Sequence, residues 1–155
     1  SEVFDEEGFF LTGDAVRAAN PADWTEGLVH GGRLAEDFKL SNGTWVRAGP
    51  MREQLLAALT PHVGDILIVG EGSTEVGAVL WADESGAEQI ASAVMRFNGG
   101  RTSASTRIAW IGVAQTAPDP SRGEITPKGT LNMRRATENR REEIDALAAR
   151  PLVRF

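Results

Sequence analysis

Met51, Leu55 and Leu59 recur at i, i+4 and i+8, with Leu56 and Ala58 beside them. This spacing predicts an amphipathic helix of about ten residues with Pro50 as its first residue. Residues 65–69 are a β-rich apolar run bounded by glycines, which predicts a buried strand, and residues 75–82 predict a second, paired with it through Glu71-Gly72-Ser73-Thr74. Ser85-Gly86-Ala87-Glu88 reads as a capping box opening a helix, with Ile90, Ala91, Val94 and Phe97 on its apolar face and Gly99-Gly100 at its end. Residues 106–113 predict a third strand, and residues 117–123 a loop rich in Asp, Pro and Ser. Residues 132–149 predict one charged helix with Met133, Ala136, Ile144 and Leu147 along one side. Helices packed around a three-stranded sheet bury one small core, which is an α+β arrangement.

The first part of the chain patterns differently. Phe9-Phe10-Leu11 is too short an apolar run for a helix, and residues 15–17 and 27–31 read as short strands separated by the Asn20-Pro21-Ala22-Asp23 loop. Two or three such strands do not make a stable unit alone, so this segment is expected to belong to a larger sheet. Between the two parts, Phe38 and Leu40 alternate with charged neighbours, which predicts a small hairpin turning at Ser41-Asn42-Gly43.

Composition narrows the picture. The net charge of −6 argues against a nucleic-acid partner. No apolar run approaches the ~20 residues a membrane helix needs. The absence of cysteine excludes disulfides, zinc–thiolate sites and a thiol nucleophile. The opening residues are acidic, without the basic start and apolar core of a secretion signal, so a cytoplasmic location is the expectation. His30 and His62 stand apart with no metal-ligand spacing, so no metal site is expected on the chain. Trp24, Trp45, Trp81 and Trp110 are expected in the core or at an interface. The run from Gly70 to Gly77 imitates a phosphate loop, yet no lysine follows its glycines and a strand follows where a helix should, so it reads as a hairpin loop.

Lysine usage adds one hint. Of sixteen basic residues only Lys39 and Lys128 are lysines. An ammonium is a compact point charge on a flexible stem and arginine a planar fork, so two lysines in an arginine-rich chain mark places where the ammonium itself is wanted. Lys128 sits in Gly123-Glu124-Ile125-Thr126-Pro127-Lys128-Gly129, on a loop whose proline and glycines give a defined, exposed tip. Asp14 follows a glycine at a strand end, where a carboxylate can accept hydrogen bonds from two sugar hydroxyls or serve as an ordinary turn aspartate. Arg33 could fork to ribose or phosphate oxygens.

Three motifs stand in a common order: Gly8-Phe9-Phe10-Leu11-Thr12-Gly13-Asp14, then Gly32-Arg33-x-x-Glu36-Asp37-Phe38-Lys39-Leu40, then the segment around Lys128. Together they resemble the adenylate-forming enzymes, which include acyl- and aryl-CoA synthetases, luciferases and peptide-synthetase adenylation domains. The wording of the second and third motifs is most similar to feruloyl-CoA synthases. The resemblance implies the small C-terminal lid domain over residues 35–155, preceded in residues 1–34 by terminal strands of the large N-terminal domain. It also implies a two-step reaction. ATP and a carboxylic acid, aromatic on this likeness, give an acyl-adenylate and pyrophosphate, and CoA thiol then displaces AMP.

The resemblance carries roles residue by residue. Asp14 would hold the ATP ribose and Arg33 would contact the nucleotide. Lys128 would bridge the carboxylate and the α-phosphate during adenylation. Lys39 would enter the site for the second half-reaction, after rotation about Ala35, where many relatives have aspartate or lysine. Ser41, Asn42 and Gly43 match the turn that lines the pantetheine tunnel. ATP or AMP, CoA and Mg²⁺ are the implied small molecules, held mainly by the large domain, which is the implied partner; without it the chain is expected to be inactive. Two other readings remain: a free-standing, non-catalytic α+β module, and the lid of an adenylation domain acting on a carrier-protein thiol. The strands of residues 8–31 would be packed on residues 50–150 in such a module, and mobile or paired between copies, as in a homodimer, in an orphaned sheet.

Overall fold

The computed structural model describes residues 12–33 and 36–155. The short apolar run Phe9-Phe10-Leu11 and the expected pivot at Ala35 lie outside the described residues. The N-terminal part is a two-stranded antiparallel hairpin of β1 (Asp14–Asn20) and β2 (Asp23–Arg33). Asn20 and Asp23 build its turn: their carboxamide and carboxylate oxygens accept the amides of Ala22 and Thr25. Its ladder leaves Val16, Leu28 and Val29 exposed.

A second hairpin joins β3 (Phe38–Lys39) to β4 (Trp45–Val46). Its turn falls at Ser41-Asn42-Gly43 as expected: Asn42 accepts the Thr44 amide at 2.9 Å, and Gly43 takes φ +82°, which costs glycine little. Helix α1 (Ala48–Leu59) follows and buries Ala48, Met51, Leu55 and Leu59. It opens two residues before Pro50, and Pro50 still lies within the first turn, where a missing N–H leaves no ladder bond unmade.

The core sheet runs β5-β6-β7-β8, with β5 (Val63–Val69), β6 (Gly77–Ala82), β7 (Trp110–Val113) and β8 (Val153–Arg154). The β5–β6 and β7–β8 pairs are antiparallel and β6–β7 is parallel. The three expected strands are present, and the two-residue β8 makes a fourth; too short for any period, it gives no signal in the sequence. The third strand is shorter than expected because its first half is held otherwise. Asn98 donates to the Ile108 carbonyl at 2.7 Å and accepts the Ile108 amide at 2.8 Å, taking ladder groups onto a side chain.

Helix α2 (Ala87–Asn98) crosses from β6 to β7 and buries Ile90, Ala93, Val94 and Phe97, so Ala93 and not Ala91 completes its inner face. The expected capping box does not form. Asp83 instead accepts the Ser85 amide and so caps the turn before the helix. The single helix expected over residues 132–149 is two, α3 (Met133–Asn139) and α4 (Arg141–Ala149). The break is Arg140, whose backbone leaves helical values while its guanidinium is drawn into the interior.

One core unites the elements from β3 onward, with Leu55, Leu59, Ile66, Leu80, Ile90, Ile108 and Ile111 fully buried. Each such side chain contributes about 1.5–3 kcal/mol of burial. Gly77 lets the Trp110 indole lie on β6, where a methyl group would overlap the ring, and Gly112 leaves room for Leu147 of α4. The described residues thus form a small α+β domain of four helices and mixed sheets, the fold class expected from the sequence.

Candidate functional site

The hairpin register sets Asp14 directly opposite Arg33 across β1 and β2. The two residues chosen from sequence for the nucleotide therefore meet on neighbouring strands. Asp14 is half-buried, and its amide donates to Thr12 Oγ1 at 3.2 Å.

Lys39 lies on the β3–β4 hairpin with its ammonium 4.9 Å from the centroid of Trp45. Trp45 is 56% exposed, so this cation–π contact faces solvent. The hairpin is fastened by two backbone hydrogen bonds to the loop between β5 and β6. The Ser41 amide donates to the Ser73 carbonyl at 2.8 Å, and the Gly72 amide to the Lys39 carbonyl at 2.9 Å. The glycine-rich run that imitates a phosphate loop is thus a hairpin loop, and it docks the β3–β4 hairpin.

Asp37 anchors the base of this hairpin. It forms a 2.7 Å ion pair with Arg47, and its side chain is only 6% exposed. Burial pushes its carboxyl above the usual aspartate range, outweighing the Arg47 charge and the Ala48 amide at the start of α1.

Lys128 is exposed at the tip of a second, unrelated turn. The Gly129 amide closes on the Thr126 carbonyl at 2.8 Å, the Thr126 amide on the Thr130 carbonyl at 2.8 Å, and the two threonine hydroxyls meet at 2.8 Å. A bridge between Ile125 and Leu131 lies below. Gly129 takes φ +79°, a backbone value suited to glycine. This explains the order Lys128-Gly129: the glycine closes the turn and the lysine stands at its apex.

Beneath the turn lies an arrangement that sequence reasoning missed. Glu124 is fully buried and accepts hydrogen bonds from Arg140, at 3.2 Å from Nε and 2.8 Å from Nη2. It also accepts the Asp119 amide at 2.8 Å and Asn139 Nδ2 at 3.3 Å. Arg140 donates further to the carbonyls of Thr116 and Ala117 and to Glu143, and it lies over the Trp81 ring. Burial would raise the Glu124 carboxyl, but the hydrogen bonds from Arg140, Asp119 and Asn139 and the Arg140 charge hold it below the usual glutamate range. Glu124 stands inside the motif around Lys128, in plain view. Its partner Arg140 lies sixteen residues further along the chain, and no periodicity links the two.

Among the described residues no group of three or more His, Cys, Asp or Glu could hold a metal ion, and no helix is long and apolar enough to cross a membrane.

Residues 36–151 match the family model described as the AMP-binding enzyme C-terminal domain. Curated protein sequences give no match. Among solved structures, the chain resembles the adenylation domain of a carboxylic acid reductase from Segniliparus rugosus, in complex with AMP and a co-purified carboxylic acid, at TM-score 0.74 and 21% identity, over 95% of this chain and 24% of that one. The adenylation domain of a Mycobacterium chelonae carboxylate reductase gives TM-score 0.71 and 23% identity over 95% and 24%. An anthranilate CoA ligase in complex with anthranoyl-AMP gives TM-score 0.57 and 20% identity over 89% and 24%. The chain thus spans about a quarter of the length of these solved chains. With the family model covering most of its residues, the chain belongs to the family of AMP-binding enzyme C-terminal domains.

Proposed function

We propose that residues 35–155 are the mobile lid of an ATP-dependent acid–thiol ligase and that residues 1–34 are the last strands of its large domain. The observation that carries this reading is Lys128, an exposed ammonium at the apex of a tightly bonded turn, in a chain of this family with only one other lysine.

In the first half-reaction a carboxylate oxygen attacks the α-phosphorus of ATP, and pyrophosphate leaves. Two anions must approach and negative charge builds on the phosphoryl oxygens. The Lys128 ammonium bridges the carboxylate and the α-phosphate, orienting them and stabilising that charge. Asp14 accepts hydrogen bonds from the ribose hydroxyls, and Arg33 contacts the nucleotide. In the second half-reaction the lid rotates about Ala35 and presents the hinge hairpin. Lys39 then faces the acyl-adenylate, and the Ser41-Asn42-Gly43 turn lines the path of the incoming thiol, which attacks the acyl carbon and releases AMP. The Mg²⁺ that accompanies ATP would be held mainly by the large domain, as the resemblance implies.

For the acceptor we favour CoA and for the acid an aromatic one, on the wording of Ala35-Glu36-Asp37-Phe38-Lys39-Leu40 and Gly123-Glu124-Ile125-Thr126, which is most similar to feruloyl-CoA synthases. A second reading, a thiol on a carrier protein, is supported by the higher TM-scores of the reductase adenylation domains, one of them solved as a didomain with its carrier protein.

The test uses the complete enzyme carrying this domain. Lys128→Ala should slow acid-dependent ATP–pyrophosphate exchange by about 10²–10³-fold, the usual cost of one preorganised donor. It should spare thioester formation from supplied acyl-adenylate. Lys39→Ala should do the reverse. Unchanged exchange in Lys128→Ala refutes the assignment, and comparing CoA with a loaded carrier protein as acceptor separates the two readings. The isolated chain should turn over neither ATP nor CoA.

A further inference from the structure

We propose that the buried Glu124–Arg140 pair is a positioning device for Lys128, specific to adenylation; this rests on the reading of Lys128 given above. The pair is placed where it controls the whole turn. The Glu124 carbonyl accepts the Asn132 amide at 2.7 Å, closing the base of the segment whose apex is Lys128. The Glu124 amide donates to the Asp119 carbonyl at 3.1 Å, and its carboxylate takes the Asp119 amide in return. Arg140 reaches past the carboxylate to the carbonyls of Thr116 at 3.1 Å and Ala117 at 2.8 Å. One guanidinium therefore fixes both the exit from β7 and the base of the Lys128 turn. Asn139 adds the end of α3, bonding Glu124 Oε1 and the Arg122 carbonyl.

Lys128 stands four positions from Glu124 and four from Asn132. At no more than about 3.3 Å per residue this is an arm of at most roughly 13 Å. A tilt of about 10° at its base moves the tip by about 2 Å, and a misplacement of about 1 Å can cost about 10²-fold in rate. Stability alone is a poor reason for such a pair, because well-packed apolar residues in place of a buried ion pair are often as stable or more so. What apolar residues cannot supply is direction: hydrogen bonds from the Asp119 amide, Asn139 and the Arg140 fork converge on one carboxylate from fixed angles. The hinge hairpin is bonded instead through Lys39 and Ser41 to Gly72 and Ser73, while the hydrogen bonds of the pair run to residues 116–143.

The experiment measures both half-reactions and the melting temperature in the complete enzyme for Glu124→Gln, for the double variant Glu124→Leu/Arg140→Met, and for Lys128→Ala. Expected is a fall of about 10²-fold in kcat for pyrophosphate exchange in Glu124→Gln, with KM for ATP and acid within a few fold and thiol transfer from supplied acyl-adenylate nearly unchanged. The double variant should regain the melting temperature but not the exchange rate. If it regains both, or if both half-reactions fall together in Glu124→Gln, the pair is structural only and the proposal fails. If Lys128→Ala loses exchange while Glu124→Gln keeps it, the positioning role fails and the reading of Lys128 stands. If Lys128→Ala keeps exchange, both fall. Should Glu124→Gln not fold, Arg140→Lys, which keeps the charge and loses the fork, carries the same comparison.

Discussion

The two lysines of this domain are held in opposite ways. Lys128 stands on a turn whose base is a fully buried ion pair, wrapped in hydrogen bonds from three segments of chain. Lys39 stands on a two-residue strand, its ammonium resting on an exposed tryptophan, its hairpin fastened by two backbone hydrogen bonds. The first support is directional and desolvated, where electrostatics are strong and errors costly. The second is solvated and tolerant. A group that must meet a developing charge in one geometry suits the first. In the proposed mechanism Lys39 is carried in by a rotating hairpin, which suits the second.

The comparison can be broken at several points. The largest effect should come from Glu124→Ala, which leaves the buried Arg140 charge without its partner. Chemical denaturation of this chain should show a loss of about 3–5 kcal/mol, and a loss below about 1 kcal/mol would mean that water or Glu143 takes over. The sheet beneath both supports comes next. Gly77→Ala drives a methyl group into the Trp110 ring and should cost about 1–3 kcal/mol, with both lysine supports weakened alike.

Dependence on pH should differ in sign between the two regions. Glu124 is held below its ordinary value of 4.5, so its contribution is present above that pH and is lost as pH falls through the lower folded-state value. Glu124→Gln should therefore flatten the acid limb of the stability profile. Asp37 is raised above 3.8 by burial, so the folded state holds its proton more tightly, and the stability this gives is lost as pH rises from 3.8 through the raised value. Asp37→Asn should remove that opposing slope, and denaturation across about pH 3–6 reads both, the window being set by carboxylate values of about 4. The smallest effect belongs to Trp45→Ala. An exposed cation–π contact is worth about 0.5–1 kcal/mol, so folding stability should fall by no more than that and the thiol-transfer rate by only a few fold.

Much of this was legible in the sequence, and the failures share a cause. Helix α1, strands β5 and β6 and the turn at Ser41-Asn42-Gly43 follow from local period and turn chemistry, and they formed where expected. Asp14 and Arg33 were chosen separately and proved to be ladder partners. What escaped was decided by contacts between residues far apart along the chain. Arg140 breaks the helical pattern of residues 132–149 to reach Glu124, and Asn98 removes Ile108 from its strand. Ser73 and Gly72, in a loop set aside as an imitation, dock the β3–β4 hairpin through their backbones. None of these pairings has a period, so none could be read before the chain was folded.

The most direct test of the two-support account is amide hydrogen exchange, residue by residue, in the wild-type chain and in Glu124→Gln. The amides of Asp119, Glu124 and Asn132 report the Lys128 support, and those of Leu40, Ser41 and Gly72 report the Lys39 support. The account predicts that Glu124→Gln speeds exchange in the first set and leaves the second at wild-type rates. Equal acceleration in both sets, or in neither, would contradict it.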